Sequence, residues 1–336
     1  MKSNKVFVIA EIGVNHNGDI EKAKKLIDIS KVAGANAVKF QTFKAENLSL
    51  KDTKKVNYQR KNTLKSENHF QMLKKLELSQ SQHIDLNRYC KKRGIEFIST
   101  PYDIESAKFL KKMGLKTFKT SSADIVDIYL HKYLSKIASR VIISTGMSSL
   151  KEIDRVDKIY KGTKTKVVYL HCVSNYPCSN KSLNLNAIKS LKKYNRPIGF
   201  SDHSSSHIAS ITAIGLGART IERHITLNKK MRGPDHFASD DPKQFNFYVK
   251  NIRKTEQILG SPIKSIQKEE REMKKVSRKG VYYNSNIKKG KKITLKDLIF
   301  LRPYNGLYPS QIKKFLNKKI RKGVKKFEYV KKNDFK

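Results

Sequence analysis

Two histidines, His203 and His224, each follow a short β-prone run, at residues 198–200 and 219–221. The stretch between the two runs, 208–217, is rich in small residues and predicts a helix, so the whole segment predicts a strand–helix–strand unit of a parallel sheet. Because the carboxyl ends of adjacent parallel strands share one edge, we expect both imidazoles there. Imidazole is the commonest side-chain ligand of divalent metals, so the pair predicts a catalytic metal with open positions. The alternative is two unrelated surface histidines.

Polar side chains also end the other predicted strands, and a barrel would bring all of them to one mouth. They are Glu11, Asn15, Asn17, Lys39, Gln41, Thr100, Lys119, Ser121, Ser122, Ser144, Thr145, His171, Tyr176, Ser201 and Glu222. Lysines with hydroxyl groups would hold a phosphate or a carboxylate, and glutamates suit acid–base work or the binding of a substrate hydroxyl. Taken singly, a strand-end lysine is more often a solvated charge and a Ser-Ser pair is more often a helix cap. Their joint placement favours a site.

The rhythm of the chain indicates how these residues are positioned. Eight β-prone runs begin near residues 6, 36, 95, 117, 141, 166, 198 and 219, and helical patterns separate them. A last helical pattern at 242–259 completes eight strand–helix repeats, which predicts an α/β fold of the TIM (β/α)8 barrel type. A doubly wound open sheet is the alternative, although no GxGxxG or Walker motif occurs. The polar stretch 44–68 is expected to be an irregular loop, either functional or mobile.

The pattern changes after residue 260. Residues 1–260 are predicted to form the barrel, 261–275 a charged linker, and 276–336 a small domain of turns and short strands. A domain of that size buries too little surface to be secure alone, so we expect it to dock on another surface.

Composition limits the classes of partner. The 336 residues include 72 Lys and Arg against 29 Asp and Glu, a formal net charge of +43. Such a field favours anionic substrates and would attract nucleic acid or anionic membranes. The lysines are scattered over the polar faces of helices, however, and no RNA-binding aromatic motif or zinc finger occurs, so no specific nucleic acid is expected.

The same composition bears on location. The sequence has no apolar run of 18 residues, and its first residues predict a strand, not a signal peptide, so no membrane association is expected. Three cysteines without a paired spacing favour free thiols in a reducing cytoplasm.

Ten stretches of this chain resemble the N-acetylneuraminate (sialic acid) synthase family. They cover nearly the whole chain in order: AEIGVNHNGD, AVKFQTF, FISTPYD, FKTSSADI, ISTGMSSL, LHCVSNYP, GFSDHS, ERHITL, RGPDHFASDDP and RPYNGLYP. The tail is similar to the antifreeze-like (SAF, β-clip) domain of that family. The resemblance implies a TIM barrel, a divalent metal (Mn²⁺ or Mg²⁺), and a domain-swapped homodimer whose SAF domain covers the active site of the partner.

The resemblance also implies a reaction and a set of roles. Phosphoenolpyruvate would condense with the open-chain aldehyde of N-acetylmannosamine and water, and phosphate would leave by C–O cleavage. The metal would lie on His203 and His224 and polarise the aldehyde oxygen. The implied contacts are Lys39, Lys119 and Ser122 to phosphoenolpyruvate; Glu11, Tyr176 and Asp235 to the sugar or the intermediate; and Arg302, from the other subunit, to the acyl group. Glu222 joins Glu11 and the histidines as a catalytic candidate, and Gln41, Ser121, Asp124, Ser174 and Ser201 are further substrate-binding candidates.

Two positions depart from the family pattern, and both lie among the expected substrate contacts. Asp124 stands where the family pattern has a glutamate, and the aspartate side chain is one methylene shorter than a glutamate side chain. Ser174 stands near a position where some members have an asparagine. The same plan is shared by legionaminic and pseudaminic acid synthases, which use a 2,4-diacetamido-trideoxyhexose, so that substrate is the main alternative. More remote alternatives are another metal-dependent lyase or aldolase on the same barrel, and a basic nucleic-acid-binding protein.

Overall fold

The computed structural model describes residues 5–336, and the chain divides into two compact units after Gly260. In the first unit, eight parallel strands form a closed barrel in sequence order, because β1 pairs with both β2 and β8. The strands are β1 (Phe7–Gly13), β2 (Ala37–Thr42), β3 (Glu96–Pro101), β4 (Thr117–Thr120), β5 (Arg140–Ser144), β6 (Lys166–Cys172), β7 (Ile198–Asp202) and β8 (Thr220–His224). The predicted TIM barrel is confirmed, and the open-sheet alternative is wrong.

Helices follow the strands around the outside of the barrel. They are α1 (Ile20–Ala33), α2 (Ala45–Leu48), α3 (Asn57–Asn62), α4 (His69–Leu76), α5 (Gln80–Arg93), α6 (Ile104–Lys112), α7 (Ile128–Ile137), α8 (Leu150–Tyr160), α9 (Ala187–Leu191), α10 (Ile208–Gly215) and α11 (Pro242–Leu259). Side-chain caps set several of the starts. Ser149 accepts from the amide of Glu152 at the start of α8, and Glu152 bonds back to Ser149, which is a capping box.

Strand alternation divides each strand between two environments. One set of side chains packs between the sheet and the helices in the main hydrophobic core. The other set points into the barrel, where Ile9, Ala37, Ile98, Ile142, Val168 and Leu170 form a separate apolar plug. One layer closer to the carboxyl ends of the strands, the inward side chains are charged. Glu11 follows Ile9 by two residues and Lys39 follows Ala37 by two, and residues two apart in a strand share a face. The plug is therefore the floor beneath a polar site.

The stretch 44–68, predicted to be an irregular loop, contains the two short helices α2 and α3. Its organising contact is a buried lysine: Lys55 Nζ donates to Thr63 Oγ1 (2.8 Å) and to the carbonyl of Leu64 (2.5 Å). Gln59 Oε1 accepts from the amide of Val56 at the start of α3. Hydrogen bonds between polar groups hold this stretch together, so the sequence has no apolar periodicity that would have predicted the two helices.

The second unit has its own small core. It contains α12 (Glu270–Ser277) and an antiparallel pair, β9 (Gly280–Tyr283) and β10 (Leu298–Leu301). Isolated bridges, such as Ile287 with Val324, connect the remaining turns around a cluster that includes Val281, Ile293 and Val330. The stretch 261–275, interpreted as a linker, lies at the start of this unit and runs into α12.

Across residues 5–336, none of the helices combines the length and the apolar character that crossing a bilayer requires.

Candidate active site

A cavity of about 470 Å³ opens at the carboxyl ends of the barrel strands. Four buried charges form its floor. Lys39 Nζ lies 2.8 Å from Glu11 Oε2 and 3.8 Å from Glu222 Oε2, and Lys119 Nζ lies 3.8 Å from Glu222 Oε1. All four side chains point inward from strands β1, β2, β4 and β8, so they share one low-dielectric space. The floor is thus a mixed set of two ammonium and two carboxylate groups.

Burial and neighbouring charge push the pKa values of this set apart. Burial raises the pKa of Glu11 to about 7, although Lys39 opposes the shift. Burial also acts to raise the pKa of Glu222, but Lys119 and Lys39 outweigh it and the pKa lies below its usual value. Burial lowers the pKa of Lys119, whereas Glu11 and Glu222 outweigh burial and raise the pKa of Lys39. Two carboxylates with opposite shifts are suited to different roles: one can carry a proton while the other stays ionised.

Hydroxyl groups surround the two lysines. Lys119 Nζ donates to Ser144 Oγ (2.5 Å) and to the carbonyl of Thr120 (2.9 Å), and Lys39 Nζ donates to Thr100 Oγ1 (3.2 Å). Each ammonium group has more donors than these neighbours use, so donors remain for an anion.

A glycine turn brings backbone close to the same side of the cavity. The Gly146 amide donates to Ser122 Oγ (3.1 Å), and a Cβ at position 146 would lie 2.7 Å from that oxygen and closer still to Ser174 Oγ. Ser122 and Ser174 both line the cavity. A side chain at position 146 would therefore displace both serine hydroxyl groups from their present positions.

The two predicted histidines do meet. The ring centroids of His203 and His224 are 5.6 Å apart at the ends of β7 and β8. His203 Nδ1 lies 2.9 Å from the carbonyl of Val173, which favours the tautomer whose Nε2 carries the lone pair. His224 Nδ1 is buried and has no hydrogen-bond partner within residues 5–336, and burial lowers the pKa of His224 well below its usual value. The carboxylate oxygen Oδ2 of Asp235 lies 4.0 Å from this nitrogen.

An ionic cluster locks the strand ends behind the histidines. Arg223 lies between Glu222 and His224 and points outward, where its guanidinium bonds both carboxylate oxygens of Asp240 (2.7 and 2.8 Å). It also reaches Asp202 Oδ2 at 3.0 Å, beside His203. The three charged groups are buried, so the arginine ties the end of β7 to the end of β8.

Three tyrosines enclose the mouth of the cavity. Tyr176 packs on His203, with ring centroids 4.1 Å apart, and on Tyr58 at 5.2 Å. Tyr102 also lines the cavity, and burial raises the pKa of Tyr102 and Tyr176 well above the usual value. Burial raises the pKa of Asp235, which lies in the same lining, to about 6.

The structure brings most of the predicted site residues to one lining. These are Glu11, Lys39, Gln41, Lys119, Ser121, Ser122, Ser174, Tyr176, His203, Glu222, His224 and Asp235. Two others lie one layer back. Ser201 donates to Glu222 Oε1 (2.9 Å), and Asp124 accepts from Ser121 Oγ (2.7 Å). Arg302 is exposed in the second unit, in the turn after β10.

Some strand-end residues expected at the mouth face elsewhere. His171 Nε2 bonds the carbonyl of Leu183, Thr145 Oγ1 donates to the carbonyl of Leu170, and Asn15 Nδ2 donates to the carbonyl of Ile225. These three predictions are wrong, because adjacent positions in a strand face opposite sides and the turn after a strand changes the face again.

Sequence reasoning missed Cys172, which takes the inward position that His171 was expected to fill. Its Sγ lies 3.7 Å from His203 Nδ1 and 3.5 Å from Ser122 Oγ. Val168 and Leu170 belong to the plug, so the residue two further on also points into the barrel. Nothing in the sequence alone marks this face for Cys172, and nothing marks the rings of Tyr58 and Tyr102 as part of the site.

Comparisons with known proteins decide the family. The NeuB family model matches residues 26–264, and the SAF domain model matches residues 278–336. The chain belongs to the NeuB family. This NeuB-family chain ends in a SAF domain, so the resemblance to sialic acid synthases is confirmed at the level of the family.

Its similar relatives include two proteins named N,N'-diacetyllegionaminic acid synthase. The one from Legionella pneumophila is 41% identical over 94% of this chain and 90% of its own length. The one from Campylobacter jejuni is 39% identical over 97% of this chain and 99% of its own length. A solved structure of N-acetylneuraminic acid synthetase from Leptospira borgpetersenii, in complex with citrate, is 34% identical and superposes with a TM-score of 0.72, covering 81% of this chain and 90% of that chain.

Proposed function

We propose that this NeuB-family chain condenses phosphoenolpyruvate with the open-chain aldehyde of a 2,4-diacetamido-2,4,6-trideoxyhexose and water. The products are a nine-carbon acid of the legionaminic type and inorganic phosphate. The observation that carries the proposal is the floor of the cavity, where two buried lysines lie beside two buried carboxylates below a pair of histidines. The two legionaminic acid synthases among the relatives favour this sugar over N-acetylmannosamine, which the sequence analysis placed first.

The lysine side of the floor suits phosphoenolpyruvate. This substrate carries a carboxylate and a phosphate, and the site offers Lys39, Lys119 and nearby hydroxyl groups as donors. Ser122 and the turn at Gly146 extend the same surface. Charge-assisted hydrogen bonds in a water-poor cavity hold an anion more strongly than they would in bulk water.

The histidine side suits a divalent cation. His203 presents Nε2 when Nδ1 donates to Val173, and the unpartnered Nδ1 of His224 is a buried polar atom that a ligand would satisfy. Across residues 5–336 no cluster of three or more His, Cys, Asp and Glu side chains is arranged to hold a metal, so the two imidazoles would leave positions open for substrate. Bound Mn²⁺ or Mg²⁺ would supply Lewis-acid polarisation of the aldehyde oxygen.

The reaction that these side chains would serve forms a carbon–carbon bond and replaces the carbon–oxygen bond to phosphate with one to water. Carbon 3 of phosphoenolpyruvate attacks the aldehyde carbon, water adds at carbon 2, and the carbon 2–oxygen bond to phosphate breaks. Glu11, with its pKa raised to about 7, can hold or accept a proton at this floor, whereas Glu222 remains ionised between the lysines. Tyr176 and Asp235 border the space where the sugar would lie.

The proposal includes assembly and location. We place the enzyme in the cytoplasm, where phosphoenolpyruvate is available, as a domain-swapped homodimer in which Arg302 reaches the acyl group in the partner's site. The SAF match supports the second domain itself, and the small size of that domain favours docking on another surface.

Phosphate release tests the proposed function. The purified full-length chain is incubated with Mn²⁺ or Mg²⁺, phosphoenolpyruvate and either 2,4-diacetamido-2,4,6-trideoxymannose or N-acetylmannosamine. Phosphate should appear only when phosphoenolpyruvate and a sugar are both present, and faster with the trideoxy sugar. Cleavage or condensation that does not need phosphoenolpyruvate would instead support another aldolase, and the absence of phosphate release with either sugar would contradict the proposal.

A further inference from the structure

One side of the catalytic cavity is apolar, in contrast to its charged floor. The side chains of Val14, Leu48, Met72, Leu73 and Leu76 line it, and we call this set the apolar wall. Met72 is 3% exposed and Val14 is 4% exposed, whereas Leu48 is only partly buried. None of the five belongs to the main core or to the plug inside the barrel.

The apolar wall is a cluster of its own. Its members come from the loop after β1, from α2 and from α4, and they pack with Phe43, Ala45, Phe70 and Tyr102. Helix α4 is anchored by a capping box, in which Asn68 accepts from the amide of Gln71 (2.9 Å) and Gln71 bonds back (3.0 Å). A separate packed cluster on an anchored helix is a rigid surface, so its chemistry is a stable property of the cavity.

The apolar wall comes from segments other than the strand ends that supply the anion donors and the histidines. The anion donors come from β2 to β5 and the histidines from β7 and β8, whereas the wall is built on the insertion between β2 and β3 and on the residue after β1. Two polar side chains of the same insertion, Gln59 and His69, also line the cavity, and they hydrogen-bond each other at 3.2 Å. An apolar wall offers no partner for a hydroxyl group, and burying an unpartnered hydroxyl is unfavourable.

We infer that the apolar wall selects the sugar by binding methyl groups, namely the methyl carbon at position 6 and an acyl methyl, and by disfavouring a terminal hydroxymethyl group. The inference rests on the proposed function, since it takes the cavity to hold an amino sugar with its aldehyde towards the histidines. The far carbons of a sugar held in that way lie against other parts of the same lining, and the wall is the apolar part of it. Leu48 and Met72 are the specificity-determining residues.

The size of the effect has an upper limit. An apolar surface rejects an added hydroxyl by at most about a hundredfold, because the hydroxyl can keep some hydrogen bonds to water at the rim. We therefore expect wild type to prefer the trideoxy sugar by about ten- to a hundredfold in kcat/KM. A polar residue on the wall should lower the ratio of kcat/KM for the two sugars towards one.

The test compares two sugars on matched variants. Leu48→Gln and Met72→Gln each place an amide on the wall, at unchanged length for Met72 and with one further heavy atom along the chain for Leu48. Leu50→Gln is the control, because Leu50 lies two residues from Leu48 but is 78% exposed and lies outside the cavity lining. For each variant, kcat/KM is measured with 2,4-diacetamido-2,4,6-trideoxymannose and with N-acetylmannosamine, together with the KM for phosphoenolpyruvate.

The expected result is a change in the ratio of the two sugars. Leu48→Gln and Met72→Gln should lower kcat/KM for the trideoxy sugar about tenfold, leave N-acetylmannosamine within about threefold, and leave the KM for phosphoenolpyruvate unchanged. Met72→Leu, which keeps the wall apolar, and Leu50→Gln should both retain the wild-type preference for the trideoxy sugar. Loss of activity that is equal for both sugars in Leu48→Gln would show a merely structural role and overturn the inference.

Failure of the inference and failure of the proposed function differ in their signatures. A wild type that prefers the trideoxy sugar, together with Leu48→Gln and Met72→Gln variants that keep the same preference, would overturn the selection by the wall alone. A wild type that releases phosphate with neither sugar would overturn the proposed function and this inference together. Leu48 is partly buried and lies at the end of α2, so a polar side chain is tolerated there more easily than at Met72. If Met72→Gln fails to fold, Leu48→Gln still tests the inference.

Discussion

Glu11 and Lys39 are register partners on adjacent strands, and Lys39 Nζ lies 2.8 Å from Glu11 Oε2 in the buried floor of the barrel. If the only role of Lys39 were to neutralise Glu11, no second ammonium group would be needed beside this pair. Here the second buried lysine, Lys119, lies beside Glu222 on the same floor, and burial raises the pKa of Glu11 to about 7, so one of the two carboxylates can take up a proton and leave positive charge for an anion. The pair is therefore better suited to receiving an anion than to holding the barrel together.

The first prediction concerns phosphoenolpyruvate. Lys39→Gln and Lys119→Gln should each raise its KM about tenfold or more, because a charge-assisted partner of a bound anion contributes about 1.5–3 kcal/mol. The KM for the sugar should change much less. Lys108→Gln is the control, since Lys108 pairs with Glu105 on the exposed face of α6. Unchanged phosphoenolpyruvate kinetics in both floor variants would remove these lysines from the site.

The second prediction concerns the metal. His203→Ala and His224→Ala should each abolish turnover and reduce the metal that copurifies with the protein, because a single remaining imidazole binds weakly. EDTA should inactivate wild type, and Mn²⁺ or Mg²⁺ should restore it. His171→Ala is the matched control, because His171 also lies near a strand end but faces away from the cavity. Full activity of either histidine variant in the presence of chelator would contradict the metal site.

The third prediction concerns the turn after β5. Gly146→Ala should reduce kcat/KM at least about a hundredfold without unfolding the barrel, because a Cβ would lie 2.7 Å from Ser122 Oγ and displace the hydroxyl groups that line the cavity. Gly215→Ala adds the same methyl where no atom lies within 4 Å, and it should be nearly neutral. Steady-state kinetics and circular dichroism of both variants check the prediction. It would be wrong if Gly146→Ala kept the wild-type rate.

The fourth prediction concerns the ionic cluster behind the histidines. Arg223→Met should destabilise the barrel by about 3–5 kcal/mol, because Asp202 and Asp240 lose the arginine that pairs with both buried carboxylates and Asp240 keeps only His207. Arg88→Met removes an exposed pair with Asp85 and should change the free energy of unfolding by less than about 1 kcal/mol. Urea titration followed by circular dichroism measures both. Equal stabilities of the two variants would mean that the buried cluster is energetically neutral.

The fifth prediction concerns assembly. Arg302→Ala and His203→Ala should each be inactive alone, and coexpression should restore activity, since a mixed dimer would contain one composite site with both side chains. Truncation after Lys275 should leave a folded barrel with poor turnover. Coexpression is required because rescue depends on subunits from both variants meeting in one dimer. A verified mixed dimer without recovered activity would show that the second domain does not serve the partner's barrel.

Much of the barrel and its floor could be predicted from local sequence pattern. Alternating β-prone runs and helical periods gave the number and order of the strands, because each element buries one face and the period is visible in the chain. The spacing of two between Lys39 and Gln41 predicted a shared face for the same reason, and both line the cavity. The two histidines were predicted from their position at strand ends, where parallel strands converge.

Only the tertiary structure decided which of two neighbouring residues faces the cavity and which distant segments line it together. The face of His171 or Cys172 depends on where the end of β6 falls relative to the plug, which is a property of the closed barrel and not of the local pattern. The apolar wall joins Val14, Leu48 and Met72 from three separate segments, and in the sequence each looks like an ordinary core residue. Local periodicity reports burial, whereas the partner that a buried side chain meets is set by long-range packing.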